Sequence, residues 1–254
     1  MALGWQAVRR ERPETAFVVV PLSPPALMTV LFAIDEGCPV AARVAHDHGM
    51  TKPTERSETL PLAAKDNRPA EVARLLASGV GVDAIDREGR SALDLAVQEG
   101  HADVVRLLLA AGADPEGRAG PYHELTPMTE AAMFGRAAVV GALIDAGVST
   151  GAQRVRSPLV PLVIAATCGH PDVVELLLDR GADIEDRDFK GRSPLEWAVS
   201  FGQVEAVRLL LARGAEPTER ALADARKAAE GTPERAEDRA LVLRAVEAAR
   251  AGRR

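Results

Sequence analysis

A short pattern of apolar residues and glycine recurs five times along the chain, at intervals of 33 to 35 residues. In every copy a Leu-Leu or Leu-Ile pair stands just before a closing glycine, which is Gly79, Gly112, Gly147, Gly181 or Gly214. Three further apolar positions are shared, and in the second copy they are Leu93, Ala96 and Val105. Self-similarity at this period predicts a stack of like supersecondary units, because one unit alone is too small to bury its apolar side.

Each copy also carries a turn residue 12 positions before its closing glycine. That residue is Asn67 in the first copy and Gly100, Gly135, Gly169 or Gly202 in the others. Glycine, and less often asparagine, adopts the left-handed backbone that such turns need. The unit is therefore predicted to be a first helix, a turn and a second helix that ends at the closing glycine. Apolar residues at i, i+3 and i+4 give the second helix one stripe that a neighbouring unit buries.

The repeated text resembles the ankyrin family, as in SALDLAVQEGHADVVRLLLAAGADP, VPLVIAATCGHPDVVELLLDRGADIE and SPLEWAVSFGQVEAVRLLLARGAEP. The resemblance covers about residues 59 to 217 and implies an all-α solenoid of five helix-turn-helix repeats joined by hairpin-like loops. The histidine of the family motif T-P-L-H-x-A is absent from every copy, where Pro61, Asp94, Thr129, Val163 and Glu196 stand instead. We therefore expect weaker hydrogen bonds in those turns. His101 and His170 match the family's Gly-His pairs and are expected to stabilise turns rather than act as bases.

The pattern changes after Pro217. Thr218 to Glu230 reads as one helix rich in alanine and charge, and Thr232 with Pro233 is typical of a second helix start that runs to about Arg250. Terminal repeats need a polar outer face, so residues 218–254 are interpreted as a helical C-terminal cap with a short basic tail.

Residues 1–58 leave several readings open. Gly37 and Gly49 keep the 12-residue interval, and Val30, Ala33 and Ala42 match the shared apolar positions of the repeat, here called frame positions. This would fit a decayed repeat. Alternatively the segment is partly disordered, or the natural start is Met50. Residues 16–34 carry no charge and are long enough to cross a bilayer, but three prolines interrupt them. A membrane-anchored array is therefore kept only as the alternative to a soluble one.

Composition argues against catalysis and against nucleic acid. The net charge is −6, whereas a nucleic-acid surface needs a basic face. The two cysteines, Cys38 and Cys168, cannot build a disulfide framework or a zinc site, which favours a reducing cytoplasm. Residues 46–48, His-Asp-His, are too few to hold a metal, and no phosphate loop or nucleophile motif is present. We expect no enzyme activity, no cofactor and a monomer whose partner is another protein.

By resemblance to the family, partner contacts come from two places in each repeat: the hairpin tip and the two residues before the turn glycine. On the inner, concave surface of repeats three to five, these display positions hold Tyr122, Met133, Phe134, Thr167, Cys168, Phe189, Lys190 and Phe201. In the first two repeats they are charged or polar and should form a rim: Lys65, Asp66, Arg87, Glu88, Gln98 and Glu99.

Four of the five aromatic residues after position 58 stand at display positions, and Trp197 is the exception. Exposed aromatic residues in a cluster are typical of a protein interface, so we predict that a partner binds there. The alternative is that Phe134 and Phe201 are half-buried against a neighbouring first helix. Trp197 is expected to seal the last repeat against the cap, and Cys168 is not expected to be a nucleophile.

Overall fold

The computed structural model describes residues 16–17, 33–34, 55–117, 125–151, 159–230 and 236–252. The chain divides into two compact units, Met1–Thr51 and Lys52–Arg254. In the first unit, strand β1 (Ala16–Phe17) pairs antiparallel with β2 (Ala33–Ile34), and Ala16 lies opposite Ile34. Ala33, which a decayed repeat would place in a helix, therefore lies in a strand. The other interpretations of residues 1–54 fall outside the described residues.

In the second unit the described residues form helices in consecutive pairs, which confirms the all-α solenoid. Repeat one has α1 (Glu55–Lys65) and α2 (Pro69–Ala77), and repeat two has α3 (Ala92–Glu99) and α4 (Ala102–Ala110). Repeats three, four and five have α5 (Pro127–Met133) with α6 (Ala137–Asp145), α7 (Pro161–Cys168) with α8 (Pro171–Asp179), and α9 (Pro194–Phe201) with α10 (Val204–Ala212). The last pair is α11 (Glu219–Ala229) with α12 (Ala236–Ala251). First helices pack on first helices and second helices on second helices, which gives two layers.

The core lies between these layers and runs through all repeats as one cluster. Four of the five frame positions are buried in every repeat, among them that of Leu60, Leu93, Met128, Leu162 and Leu195 at 3% exposure or less. The fifth, the second residue of each Leu-Leu or Leu-Ile pair, is partly buried against the core. The second helices contribute the equivalent leucines Leu108, Leu143, Leu177 and Leu210, each fully buried. The spacing of the apolar residues therefore predicted correctly which side of each helix pair is buried.

Three of the five substituted histidine positions do not weaken the turns, so that expectation was wrong for them. The carboxylate of Asp94 accepts from the backbone N–H of Ser91 at 2.7 Å, while Ser91 Oγ accepts from the Asp94 N–H at 3.2 Å. The same reciprocal capping box joins Thr126 to Thr129 and Ser193 to Glu196. A short polar side chain at the third helical residue can reach back to the helix start, which replaces the family's histidine bonds.

One side chain in each of repeats two to five ties its repeat to the preceding one. It is the residue after the turn glycine, and it donates to a backbone carbonyl near the end of the preceding first helix. The pairs are His101 Nε2 to Lys65 O, Arg136 Nε to Gln98 O, His170 Nε2 to Met133 O and Gln203 Nε2 to Thr167 O, each at 2.9 Å. In this ladder of bonds His101 and His170 link neighbouring repeats, and their stabilisation of the turns stays a prediction.

The turn glycines serve both the backbone and this ladder. Gly135 has φ +67°, and a Cβ added there would lie 2.5 Å from Nδ1 of His170. Gly147, which ends the second helix of the same repeat, has φ +91° and nothing within 4 Å of such a Cβ. The two glycines therefore share the left-handed backbone but differ in the space around it.

We expect Gly135→Ala to lower the free energy of unfolding more than Gly147→Ala does. Both changes place alanine in the left-handed region, at a cost of roughly 1–2 kcal/mol. Gly135→Ala must also displace His170 and its bond to Met133 O, which adds about 1 kcal/mol. Urea denaturation of the two variants measures the difference, and equal losses would show that the close approach of His170 has no energetic weight.

The second helix of repeat one differs from the others on the side that faces a preceding repeat. Three residues after each ladder residue, repeats two to five bury a small apolar side chain: Val104, Val139, Val173 or Ala206. Repeat one has Glu71 there, and its carboxylate pairs with Arg74 at 2.7 Å. Arg74 corresponds to Leu176, whose side chain reaches toward Gly141 of the preceding repeat. Among the described residues, the layer of second helices, called the outer layer below, therefore begins with a polar face on α2.

Candidate protein-binding surface

The display positions of repeats three to five that precede a turn glycine lie at the carboxyl ends of neighbouring first helices. Met133 is half-buried against the core, whereas the adjacent Phe134 is 37% exposed. Thr167 and Cys168 are half-buried, and the Thr167 hydroxyl donates to Val163 O at 2.7 Å. Phe189 and Lys190 are exposed on the hairpin between α8 and α9. Tyr122 lies outside the described residues.

Phe201 behaves differently from Phe134. Its ring packs on Trp197, one helical turn earlier in α9, with 5.8 Å between ring centroids. Phe201 is half-buried. This ring contact lies within α9, whereas the alternative expectation placed Phe201 against a neighbouring first helix. The indole N–H of Trp197 donates to Asp188 at 2.8 Å, and the guanidinium of Arg192 lies 4.3 Å above its ring. Arg192 also pairs with Asp224 of α11, which links repeat five to that helix. That Trp197 itself seals the last repeat against the cap stays a prediction.

The thiol of Cys168 is held in its neutral form. Burial raises its pKa to about 11, so almost no thiolate exists near neutral pH. The thiolate is the nucleophilic form of cysteine, so Cys168 is not activated as a nucleophile. Its neutral side chain behaves as a small apolar group.

Five of the six residues predicted to form the rim are exposed: Lys65, Asp66, Arg87, Glu88 and Glu99. The sixth, Gln98, is half-buried. Its side-chain amide turns toward repeat three and donates to Glu130 Oε1 at 2.7 Å. This bond between repeats two and three leaves the Gln98 side chain only partly exposed.

Glu130 is the residue of this region that sequence reasoning missed. It is 6% exposed, at a position where the other repeats have Leu62, Leu95, Ile164 and Trp197. Burial raises its pKa to about 7, the bond from Gln98 opposes that rise, and the Asp94 carboxylate adds to it. The available signal was an acidic residue at a position where each of the other four repeats has an apolar residue.

Comparison with known families identifies the repeat. The family model for ankyrin repeats in three copies matches residues 29–119, 60–154 and 128–221. The chain belongs to the ankyrin-repeat family. The match begins at residue 29, ahead of the first repeat that the spacing of apolar residues defines.

The relatives show how far this ankyrin identity extends. Human ankyrin repeat and KH domain-containing protein 1 is 43% identical over 111 residues, which are 43% of this chain and 4% of that protein. The mouse B-cell lymphoma 3 protein homolog is 35% identical over 172 residues, 64% of this chain and 38% of that protein. The crystal structure of the human ASB11 ankyrin repeat domain superposes with a TM-score of 0.62 at 26% identity, covering 75% of this chain and 82% of that chain. The chain therefore spans well under half of the curated relatives.

Ankyrin repeats are typically binding modules and not catalytic ones. One relative is an enzyme by name, the E3 ubiquitin-protein ligase KEG of Arabidopsis thaliana, and the 89 matched residues are 5% of it. In the part of this chain that the structure describes, no three His, Cys, Asp or Glu side chains converge as metal ligands. None of the described helices is long and apolar enough to cross a membrane. Residues 46–48 and most of the apolar segment 16–34 lie outside those residues.

Proposed function

We propose that the chain binds another protein through the inner surface of ankyrin repeats three to five. The observation that carries this is the exposure of two phenylalanine rings, Phe134 at 37% and Phe189 at 60%, in a chain with few aromatic residues. Aromatic side chains supply much of the binding energy of protein interfaces, so two exposed rings at display positions favour a binding surface.

The surroundings of the two rings support the same reading. Met133, Cys168 and Phe201 are half-buried at the display positions of repeats three, four and five. Stacking of the repeats should bring these positions side by side and extend the apolar area across three repeats. Lys65, Asp66 and Glu99 leave the first two repeats charged, and charge at the edge of an interface acts mainly on the rate of encounter. We propose that the chain is a cytoplasmic adaptor or inhibitor that binds its partner through this surface and has no catalytic activity of its own.

The proposal is tested by Phe134→Ala with Leu62→Ala as its control. Leu62 is an apolar residue of repeat one that is 55% exposed, so both changes remove an exposed apolar side chain from a first helix or its end. The immobilised protein is used to capture its partner from a lysate of the source cells. Phe134→Ala should weaken capture by at least about tenfold, as for an interface anchor, while Leu62→Ala should not.

Phe134 is changed alone because Phe201 packs on Trp197, and its loss would disturb α9 as well. Circular dichroism and urea denaturation must show that both variants fold. Unchanged capture by a folded Phe134→Ala variant would place the interface elsewhere on the chain.

A further inference from the structure

Two of the hairpins that join the repeats are built on one scaffold with the sequence pattern Asp-x-x-Gly-Arg. Asp86–Arg90 joins repeats one and two, and Asp188–Arg192 joins repeats four and five. In both, the aspartate N–H donates to the arginine carbonyl, at 2.8 Å and 3.1 Å. In both, the glycine N–H donates to the aspartate carbonyl, at 3.1 Å and 2.9 Å, and the glycine has positive φ.

The aspartate side chain fixes each hairpin in the same way. Oδ1 of Asp86 accepts from the backbone N–H of Glu88 at 2.8 Å and of Arg90 at 2.9 Å. Oδ1 of Asp188 accepts from the corresponding N–H groups of Lys190 at 3.0 Å and Arg192 at 2.8 Å. Because backbone groups and the aspartate make these bonds, the two residues at the tip can change without changing the hairpin.

The tips nevertheless differ completely. The first tip is Arg87-Glu88, and the Glu88 carboxylate pairs with Arg90 of the same hairpin. The second tip is Phe189-Lys190. Phe189 is 60% exposed, the highest value for a large apolar side chain among the described residues. Since the scaffold holds a polar tip equally well, folding does not explain a phenylalanine at this place.

Lys190 gives the second tip an uncompensated charge. Its ammonium lies 5.5 Å from the centre of the Phe189 ring, and no acidic group within the described residues is at ion-pair distance. The arginines of the same hairpin do have acidic neighbours: Arg187 is 3.8 Å from Glu185, and Arg192 pairs with Asp224. The tip therefore presents a phenyl ring beside an ammonium that pairs with no acidic group of the described residues.

We infer that Phe189 and Lys190 form a two-point docking site for a partner segment in which an apolar side chain stands next to an aspartate or glutamate. The apolar side chain covers the phenyl ring, and the carboxylate pairs with the ammonium. Because Asp188 already holds the hairpin rigid, binding does not need to order it first. This inference rests on the proposed function and adds the chemistry of the partner to it.

The two hairpins supply a matched variant. The double change F189R/K190E gives the second hairpin the tip of the first, on a scaffold that already carries that tip elsewhere in the chain. A phage-displayed library of random peptides is selected on the immobilised wild-type protein, and each enriched peptide is measured on both proteins. We expect enriched peptides to combine an aromatic or aliphatic residue with a neighbouring Asp or Glu, and to bind the double variant at least about tenfold more weakly. Lys190→Gln should weaken binding and reduce its dependence on salt.

Other outcomes overturn the inference in distinguishable ways. Peptides that bind wild type and F189R/K190E equally, but not Phe134→Ala, would leave the proposed function standing and remove the tip from it. Enriched peptides without acidic residues, or equal binding by Lys190→Gln, would show that the partner chemistry is wrong. A selection in which nothing prefers wild type over the double variant, provided urea denaturation shows both folded, would reject the docking site.

Discussion

Leu177→Ala is expected to lower the free energy of unfolding by about 2–5 kcal/mol, the range for truncating a buried leucine that leaves a cavity. Leu177 lies in α8 with no exposed surface, at the frame position that Leu108, Leu143 and Leu210 occupy in other repeats. Its methyl groups belong to the core that repeats three, four and five share. In a stack, stability is approximately a sum over repeats and their interfaces, so this loss falls on the interfaces of repeat four with both neighbours.

The matched control is Leu62→Ala, the same chemical change at a side chain that is 55% exposed in repeat one. Chemical denaturation followed by circular dichroism should show a far smaller loss for the control. A loss below about 0.5 kcal/mol for Leu177→Ala would mean that the repeat frame is misplaced in repeat four.

Glu130→Leu should stabilise the fold at neutral and alkaline pH, by up to about 3 kcal/mol, and Glu130→Gln should remove the same pH dependence. The folded-state pKa of Glu130 is about 7, against an ordinary value of 4.5. The folded chain therefore keeps this proton over a range in which the unfolded chain has released it. The resulting stabilisation is complete below about pH 4.5 and is lost as pH rises through about 7, and the gap corresponds to about 3 kcal/mol.

The charged neighbours of Glu130 leave the sign of this effect unchanged. Asp94 of α3 is a second acid, its own pKa is raised by burial, and it remains in every variant. Arg136, at the start of α6, directs its Nε to the Gln98 carbonyl. Helix α7 carries no Asp, Glu, Lys, Arg or His. Urea denaturation of wild type and Glu130→Gln at about pH 5.5 and about pH 8 gives the measurement, and coincident pH profiles would contradict it.

The layout of the fold could be predicted from the sequence because its signal repeats. One apolar residue says little, but Leu177 stands at a position that is Leu in every repeat, and the solenoid buries that position in every repeat. The same argument fixed the turns: the prediction that Asn67 substitutes for a turn glycine is confirmed by its φ of +53°. Periodicity reports what all copies share, and backbone geometry is what they share.

What a single copy does differently could not be predicted in this way. The buried Glu130 of repeat three accepts a hydrogen bond from Gln98 of repeat two, 32 residues earlier in the chain. The spacing of apolar residues does not reveal that contact. Phe201 loses exposure because Trp197 happens to lie one turn before it on the same helix. The capping boxes were missed for a related reason, because the family's histidine was treated as the only residue able to bond that turn. The display residues of repeats three to five remain a prediction.

The ion pair of Glu71 with Arg74 bears on how copies of this protein meet each other. The contact that joins one repeat to the next is head-to-tail, and nothing in its geometry limits it to a single molecule. Open head-to-tail contacts generate filaments when both ends are compatible. A second molecule that packed on α2 as a preceding repeat would have to desolvate the Glu71 carboxylate and the Arg74 guanidinium, which costs several kcal/mol. We therefore expect these two charges on one short helix to work against end-to-end association through α2.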